Sequence, residues 1–339
     1  MNIVITGGAG FLGARLARAL LQQGTLSLAG KPAETITRIT LVDRAAPPAD
    51  LTADSRIQSV EGDLNALIAA DAPNKVITEG TALVFHLAAA VSGECEADFD
   101  LGMRSNLDAT RALLQACRQL KAPAAVVFAS SLAVFGNSPE QPLPAVITDT
   151  TLPTPQNSYG IQKFIGEQLV ADYARKGFVR GRNVRLMTVS VRPGKPNGAA
   201  SSFLSGMIRE PLAGVRAVCP VPAETPVALS SPGHTIAGLV RAAEASDSDW
   251  GARTAINLPA LKTTAGEMAE ALARVAGKDV AALIDWTPDP TIARIVTSWP
   301  AHIQADRAAA LGLLPEKNFD DIIRAYVSEN PYAVTQPAR

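Results

Sequence analysis

The sequence predicts an α/β fold in which a doubly wound, mostly parallel sheet is covered by helices on both faces. Short runs of β-branched residues alternate with amphipathic stretches through about the first 190 residues. The short runs are almost entirely apolar, as expected of parallel strands that are buried on both faces. After residue 192 the composition changes to Pro, Gly and Ser, which predicts a smaller lobe of mixed structure.

The periodicity assigns each element in order. We expect strands at residues 3–6, 39–42, 57–61, 83–87, 125–129 and 185–191, and helices at 11–23 and 106–119. Further on, 255–258 is a possible returning strand, 264–275 and about 319–326 read as helices, and residues 284–330 include two Trp-containing loops. The expected domains are a dinucleotide-binding domain at 1–192 with a returning segment near 227–259, a substrate lobe at 193–226 and 260–330, and a tail at 331–339.

Composition narrows the class of protein. The 339 residues are 47% hydrophobic and 19% charged with net charge −1, which describes a soluble globular protein. No block of Lys or Arg suggests nucleic acid, and no apolar stretch is long enough to span a membrane. Three scattered cysteines and three histidines lack metal-ligand spacing, so we expect no metal. Together with an N-terminus that reads as a strand rather than a signal peptide, this predicts a cytoplasmic protein with reduced thiols.

A glycine-rich turn follows the first strand. Gly7, Gly10 and Gly13 surround the start of the first helix, which Phe11 and Leu12 open. Glycines let the backbone approach a pyrophosphate, and the helix N-terminus supplies N–H donors and a positive dipole end. Because the strand before and the helix after are both present, the motif predicts a Rossmann-type dinucleotide-binding domain.

Asp43 ends the second strand, where an acid binds the adenosine ribose in such domains. It lies further from the glycines than the usual spacing of about 20 residues, and a loop insertion at 24–38 explains the difference. A carboxylate here repels a 2′-phosphate and therefore favours NAD over NADP. Arg44 could instead pair with a 2′-phosphate, but we favour a solvated side chain because the acid is present.

Two further positions have alternative interpretations. Asp63, followed by Leu64, can face the adenine amino group or cap the next helix. His86 could be a base, but within an apolar strand it reads as a hydrogen-bonded core histidine. Small residues that leave space for cofactor contacts end this strand: Leu87, Ala88 and Ala89.

Tyr159 and Lys163 are four residues apart and therefore share one helix face. A phenol with a pKa near 10 is a poor base at pH 7. A neighbouring ammonium and a positive nicotinamide would both favour the phenolate. Ser131 follows the fifth strand at the carboxyl edge of the sheet, where a hydroxyl can bind the reacting oxygen. The three residues predict a Ser/Tyr/Lys catalytic site.

These residues together resemble the extended short-chain dehydrogenases/reductases, the family of NAD-dependent epimerases and dehydratases. The resemblance covers almost the whole chain and includes Asn106 and Arg192-Pro193-Gly194. It implies that Tyr159 is the acid/base, that Lys163 holds the ribose and tunes Tyr159, and that Ser131 orients the substrate oxygen. It also implies that Asn106 supports the cofactor site, that Pro193 packs near the nicotinamide, and that the chain forms a homodimer through the helices of Asn106 and Tyr159.

Within the family, residues 92–102, 191–197, 207–212, 288–290 and 298–300 resemble members that act on small hydroxy acids. The resemblance implies oxidation of the C2 hydroxyl of a four-carbon sugar acid, with NAD as hydride acceptor. The substrate carboxylate needs a charged or multiply hydrogen-bonded partner. The candidates for substrate binding, besides Ser131 and Tyr159, are Ser92, Arg192, Lys195, Asn197 and Arg209, with Arg192 favoured for the carboxylate because it adjoins Pro193.

Two other functions stay open. A nucleotide-sugar epimerase or dehydratase would need several basic residues and an aromatic platform at 195–230, where the sequence has only Lys195, Arg209, Arg216 and Phe203. A non-catalytic NAD-sensing protein would not need an intact Ser/Tyr/Lys set.

Overall fold

The computed structural model describes residues 1–69, 76–194 and 199–335. The strands in these ranges are β1 (Asn2–Thr6), β2 (Thr25–Leu26), β3 (Glu34–Thr35), β4 (Arg38–Asp43), β5 (Ile57–Glu61), β6 (Thr81–His86), β7 (Ala125–Ser131), β8 (Arg180–Leu186), β9 (Thr188–Val189), β10 (Ala217–Cys219), β11 (Pro226–Ser230), β12 (Ile256–Asn257), β13 (Leu261–Thr264) and β14 (Ile284–Trp286).

The α-helices in the same ranges are α1 (Phe11–Gln23), α2 (Ala49–Thr52), α3 (Leu64–Ile68), α4 (Ser92–Ala97), α5 (Phe99–Gly102), α6 (Ala109–Arg118), α7 (Ser158–Arg175), α8 (Phe203–Leu212), α9 (Pro232–Glu244), α10 (Asp247–Trp250), α11 (Ala265–Ala276), α12 (Lys278–Ala281), α13 (Pro290–Thr297), α14 (Asp306–Ala310) and α15 (Phe319–Glu329). A π-helical turn at Met103–Asp108 precedes α6, and 3₁₀ turns lie at Leu28–Gly30, Leu132–Val134 and Pro331–Ala333.

The central sheet confirms the doubly wound fold. Its strand order is β12-β8-β7-β6-β1-β4-β5. The pairs of β1 with β4 and β6, of β4 with β5 and of β6 with β7 are parallel. The order reverses beside β1, because the chain builds outward first through β4 and then through β6. Ligands bind at such a reversal, beyond the carboxyl ends of the strands.

The chain divides into two compact units. Unit 1 comprises Met1–Ser131, Ser158–Arg185 and Ile236–Ile256, and unit 2 comprises Leu132–Asn157, Leu186–Thr235 and Asn257–Arg339. Unit 1 contains the parallel strands β1, β4, β5, β6 and β7 of the central sheet. One cluster of its core side chains includes Val4, Val84, Leu113, Val126 and Val170.

Unit 2 has a separate core. Buried Leu204, Met207, Leu272 and Ile323 belong to it, and α8 and α15 pack against α11. Small sheets complete the unit: β13-β11-β9 in one, and a parallel pair of β10 with β14 in the other. Thr264 and Glu267 form a capping box that fixes the start of α11.

The structure confirms most predicted elements and corrects others. The helix at 11–23 and the strand at 57–61 have the predicted bounds. The strand predicted at 185–191 has the wrong bounds. β8 begins five residues earlier, at Arg180, and ends at Leu186, and Thr188–Val189 forms a separate short strand, β9. β8 carries Arg182, Asn183 and Arg185 in buried positions, and this polar run hid the strand from an apolar pattern. The insertion at 24–38 contains the β2–β3 pair. Of the two predicted Trp-containing loops, the one with Trp299 is present between α13 and α14, whereas Trp286 is the last residue of β14.

Candidate active site

The glycine turn between β1 and α1 has the geometry of a phosphate cradle. Gly7 has a φ of +72°, and a Cβ there would lie 2.9 Å from the backbone nitrogen of Ala88. A Cβ on Gly13 would lie 2.1 Å from the carbonyl oxygen of Gly7. Gly10 is the N-cap of α1. Side chains at these positions would fill the turn, so the residues present fit a pyrophosphate at the helix N-terminus.

Asp43 lies beside this turn because β4 is the neighbour of β1. Its Oδ2 accepts hydrogen bonds from the backbone N–H groups of Ala9 (3.0 Å) and Gly10 (3.2 Å), and its Oδ1 accepts one from Ala45 (3.2 Å). Sequence reasoning did not find the contacts with the turn. A carboxylate has about four acceptor sites, so Asp43 can brace the turn and still accept from ribose hydroxyls.

Arg44 and Asp63 form an ion pair. Arg44 Nη2 donates to Asp63 Oδ2 at 2.8 Å, and Asp63 Oδ1 accepts from the backbone N–H of Asn65 at 3.0 Å. Partial burial raises the pKa of Asp63, but the hydrogen bonds from Arg44 and from backbone N–H groups, together with the charge of Arg44, outweigh burial and leave the pKa below its usual value. The helix-cap interpretation of Asp63 is therefore confirmed, with Leu64 as the first residue of α3. The side chain of Arg44 is 62% exposed, as expected of a solvated residue, but sequence reasoning did not find its ion pair with Asp63.

His86 is a buried core histidine, as the apolar strand predicted. Thr110 Oγ1 donates to the carbonyl oxygen of Asn106 at 2.6 Å, so it accepts from His86 Nε2 at 2.9 Å. His86 Nδ1 then accepts from the hydroxyl of Thr6 at 2.7 Å. Burial, with a contribution from the charge of Lys163, lowers the pKa of His86 to about 3. The ring is neutral and does not act as a base near pH 7.

Asn106 braces the segment that follows β6. It lies in the π-helical turn, its Oδ1 accepts from the N–H of Ala90 (2.8 Å), and its Nδ2 donates to Gln162 Oε1 (2.8 Å) on α7. The half-buried small residues just before Ala90 are those expected beside the cofactor: Leu87, Ala88 and Ala89. Asn106 thus ties this segment to the helix that carries the catalytic candidates.

The catalytic candidates lie at the end of β7 and in the first turns of α7. Ser131 is the last residue of β7, and Tyr159 and Lys163 lie in the first two turns of α7. Lys163 is buried, its Nζ donates to the carbonyl oxygen of Ala129 at 2.8 Å, and it lies 5.7 Å from the ring centroid of Tyr159. Burial lowers the pKa of Lys163 to about 8. Ser131 and Tyr159 are both half-buried.

The substrate candidates within the described residues belong to both units. Ser92 opens α4 in unit 1. In unit 2, Arg209 Nη1 donates to the carbonyl oxygen of Arg192 at 2.7 Å, and Arg209 Nη2 donates to Glu210 Oε1. Pro193 follows Arg192 and is half-buried. The remaining two candidates lie outside the described residues: Lys195 and Asn197.

Sequence reasoning missed a buried cluster of Ser130, Glu167 and Arg185, whose Glu167 lies one helical turn after Lys163. Glu167 accepts hydrogen bonds from Ser130 of β7 and from Arg185 of β8. A Glu four residues after Lys163 was the available signal, but a single sequence does not reveal its partners.

Fold and site define a class: a Rossmann-type oxidoreductase with a dinucleotide cradle and a Ser/Tyr/Lys set. The profile of the NAD dependent epimerase/dehydratase family matches residues 3–226, and the chain belongs to that family. NAD is its cofactor, and it is an oxidoreductase that acts on CH–OH groups of a small molecule.

The chain is similar to two proteins called D-erythronate dehydrogenase. The one from Cupriavidus necator is 53% identical over 331 residues, which cover 97% of this chain and 98% of that protein. The one from Haemophilus influenzae is 42% identical, with coverage of 96% and 99%. A crystal structure from Agrobacterium tumefaciens, described as a nucleoside-diphosphate-sugar epimerase, is 40% identical with a TM-score of 0.88, and the match covers 98% of this chain and 95% of that one.

Within the described ranges, none of the helices is both long enough and apolar enough to cross a membrane.

Proposed function

We propose that the protein oxidises the C2 hydroxyl of D-erythronate, a four-carbon sugar acid, to 2-dehydro-D-erythronate with NAD. The observation that carries the proposal is the 53% identity to the D-erythronate dehydrogenase of Cupriavidus necator over nearly the full length of both chains. The resemblance read from the sequence alone led to the same substrate.

In the proposed mechanism, Tyr159 removes the proton of the substrate hydroxyl, and Ser131 donates a hydrogen bond to the same oxygen. Lys163 stabilises the phenolate of Tyr159, since an ammonium nearby favours the charged form of a phenol. Its hydrogen bond to Ala129 holds Lys163 at the end of β7. NAD, when bound, supplies the hydride acceptor.

The cofactor contacts are proposed from the geometry of unit 1. The turn of Gly7, Gly10 and Gly13, with the first residues of α1, would hold the pyrophosphate, because its backbone has no side chains in the way. Asp43 would hold the adenosine ribose. Further contacts are proposed for Phe11, Leu12, Asp63, Leu64, Leu87, Ala88, Ala89 and Pro193, with Asn106 as a support and Lys163 on the nicotinamide ribose.

For the substrate carboxylate we propose Arg192, with Ser92, Lys195 and Asn197 as further contacts. Arg209 is the weaker candidate, because it already donates to the carbonyl oxygen of Arg192 and to Glu210. The assignment of residues 193–226 and 260–330 to a substrate lobe belongs to the same proposal.

A nucleotide-sugar reaction is the second candidate, since the Agrobacterium tumefaciens structure bears an epimerase name. Arg209 is engaged as described, and Arg216 Nε donates to Asp285 Oδ2 at 2.7 Å. Two of the basic residues that could bind a diphosphate are thus already ion-paired, which supports the hydroxy-acid reaction.

We also propose a homodimer through α7 and the neighbouring helices, and a cytoplasmic location. Phe99, Ile161 and Ile165 are apolar, with exposed fractions of 60%, 45% and 38%. A partner chain would cover such a surface. The three cysteines are free and buried, as expected in a reducing compartment. We expect no nucleic-acid partner.

The decisive experiment is the appearance of NADH. We expect absorbance at the NADH band to rise in proportion to added D-erythronate, with at most slow reaction of C2 epimers. An epimerase returns the hydride to its substrate and would show no net NADH. Turnover of UDP-sugars without NADH, and none with four-carbon acids, would overturn the proposal.

A further inference from the structure

Two consecutive residues at the end of strand β7 are hydrogen-bonded to two consecutive turns of helix α7. Ala129 accepts a hydrogen bond from Lys163 at 2.8 Å, and the next residue, Ser130, donates to Glu167 Oε1 at 2.5 Å. Lys163 and Glu167 are one helical turn apart, and Ser131 is the next residue of the strand. The contacts therefore fix the position of α7 along the strand end.

Arg185 of β8 completes this contact. Its Nε and Nη2 donate to the two carboxylate oxygens of Glu167 at 2.9 and 2.8 Å. The side chains of Arg185 and Glu167 are 5% and 1% exposed. Asn183 Nδ2 also donates to the backbone carbonyl of Glu167 at 2.9 Å. One residue of α7 is thus bonded to both neighbouring strands.

Stability alone does not explain a charged pair at this position. Removing two charges from water can cost more than their attraction returns, and apolar side chains of the same volume often stabilise a fold as well. What apolar side chains cannot supply is directional bonding and a fixed negative charge near Lys163. Burial lowers the pKa of Lys163, and the electrostatic interactions with Cys95 and with Glu167 oppose that effect.

We propose that Glu167 is a positioning residue: with Ser130 and Arg185 it sets α7 against the end of β7 and so holds Lys163 in place beside Tyr159. The inference rests on the proposed roles of Ser131, Tyr159 and Lys163. Glu167 touches neither substrate nor cofactor and acts through Lys163.

The test replaces the whole cluster with apolar side chains. The triple variant Ser130→Ala, Glu167→Met, Arg185→Met removes the three side chains that bond one another, so neither charge of the ion pair stays buried without the other. We expect its melting temperature to stay within a few degrees of wild type. We expect kcat to fall about tenfold or more, as when general base catalysis is impaired, and NAD to bind more weakly.

The pH profile separates positioning from support of the fold. The triple variant removes the negative charge of Glu167 together with the positive charge of Arg185. Because Glu167 raises the pKa of Lys163 and misplacement of α7 weakens its support of Tyr159, we expect the rising limb of kcat/KM to move to higher pH. A cluster that only supports the fold would change the melting temperature and leave this limb in place. A triple variant with wild-type kcat, NAD affinity and pH profile would overturn the inference.

Two companions keep the test decisive. Ser130→Ala retains the ion pair and covers the case in which the triple variant fails to fold: we expect a fall in kcat of severalfold, and an unchanged kcat with a stable fold would contradict the inference. Asp247→Asn is the matched control, because Asp247 pairs with Arg182 of the same strand β8 at 2.5 Å. It should affect stability only. Tyr159→Phe tests the proposed site separately. Its kcat should fall by about 10²-fold or more in the same assay, and near-normal turnover would mean that the proposed site itself is wrong.

Discussion

Tyr159 is the residue on which the proposed chemistry depends. Tyr159→Phe keeps the ring and removes the hydroxyl, so kcat should fall by about 10²-fold or more while NAD affinity is retained. Lys163→Ala should lower both kcat and NAD affinity, since Lys163 is proposed to serve both. Steady-state kinetics and cofactor titration measure the two effects. A Tyr159→Phe enzyme with near-normal turnover would place the base elsewhere.

Asp43 supports the glycine turn and is the residue proposed to select NAD over NADP. Asp43→Asn removes the charge but keeps an oxygen that can accept from Ala9 and Gly10. We expect it to narrow the preference for NAD over NADP without a large loss of stability. Asp43→Ala should narrow the preference and also weaken binding of both cofactors, because the turn loses its brace. Dissociation constants for the two cofactors test this, and a native protein that binds NADP more tightly would exclude the assignment.

At the level of elements, His86 connects β6 with β1 and α6 through Thr6 and Thr110. The pKa of His86 in the fold, about 3, lies below its usual value of 6.5, so between these pH values the unfolded chain binds the proton and the native ring does not. Stability is then lost as pH falls from 6.5 towards 3, by at most about 5 kcal/mol.

Urea unfolding at pH 7 and pH 4 measures this dependence on His86. We expect His86→Gln to be less stable than wild type at pH 7 and to lose less on acidification, since Gln does not titrate. Equal losses in the two proteins would show that the carboxylates common to both dominate.

Arg209 of α8 donates a hydrogen bond to the carbonyl oxygen of Arg192, and substitutions of the two residues distinguish a structural role from a substrate-binding role. Arg209→Leu should lower the melting temperature, because Glu210 loses its ion pair at a largely buried position, a change that costs about 3 kcal/mol. Arg192→Leu should raise the KM for the hydroxy acid while the melting temperature and NAD affinity hold. Loss of stability and NAD binding in Arg192→Leu would assign it the structural role.

At the scale of the whole molecule, the sequence predicted those features that depend on local pattern. The glycine turn, the parallel strands and the Tyr159/Lys163 face follow from spacing along one element, and the structure has each of them. The start of β8 was missed because Arg182 and Arg185 are buried with partners that lie far away in the chain. The Glu167 cluster was missed for the same reason, since pairing across strands is set by tertiary contacts that a periodicity does not encode.

The division into units has a consequence for how such a protein can diverge. The chain leaves unit 1 directly after Ser131 and re-enters it at Ser158, one residue before Tyr159. Insertions, deletions or exchanges within 132–157 therefore alter unit 2, while both ends of the excursion stay anchored to a strand and a helix of unit 1. Substitutions can thus accumulate in unit 2 with little effect on the positions of Ser131, Tyr159 and Lys163 in unit 1. A lineage built in this way can acquire new substrates without having to invent its chemistry again.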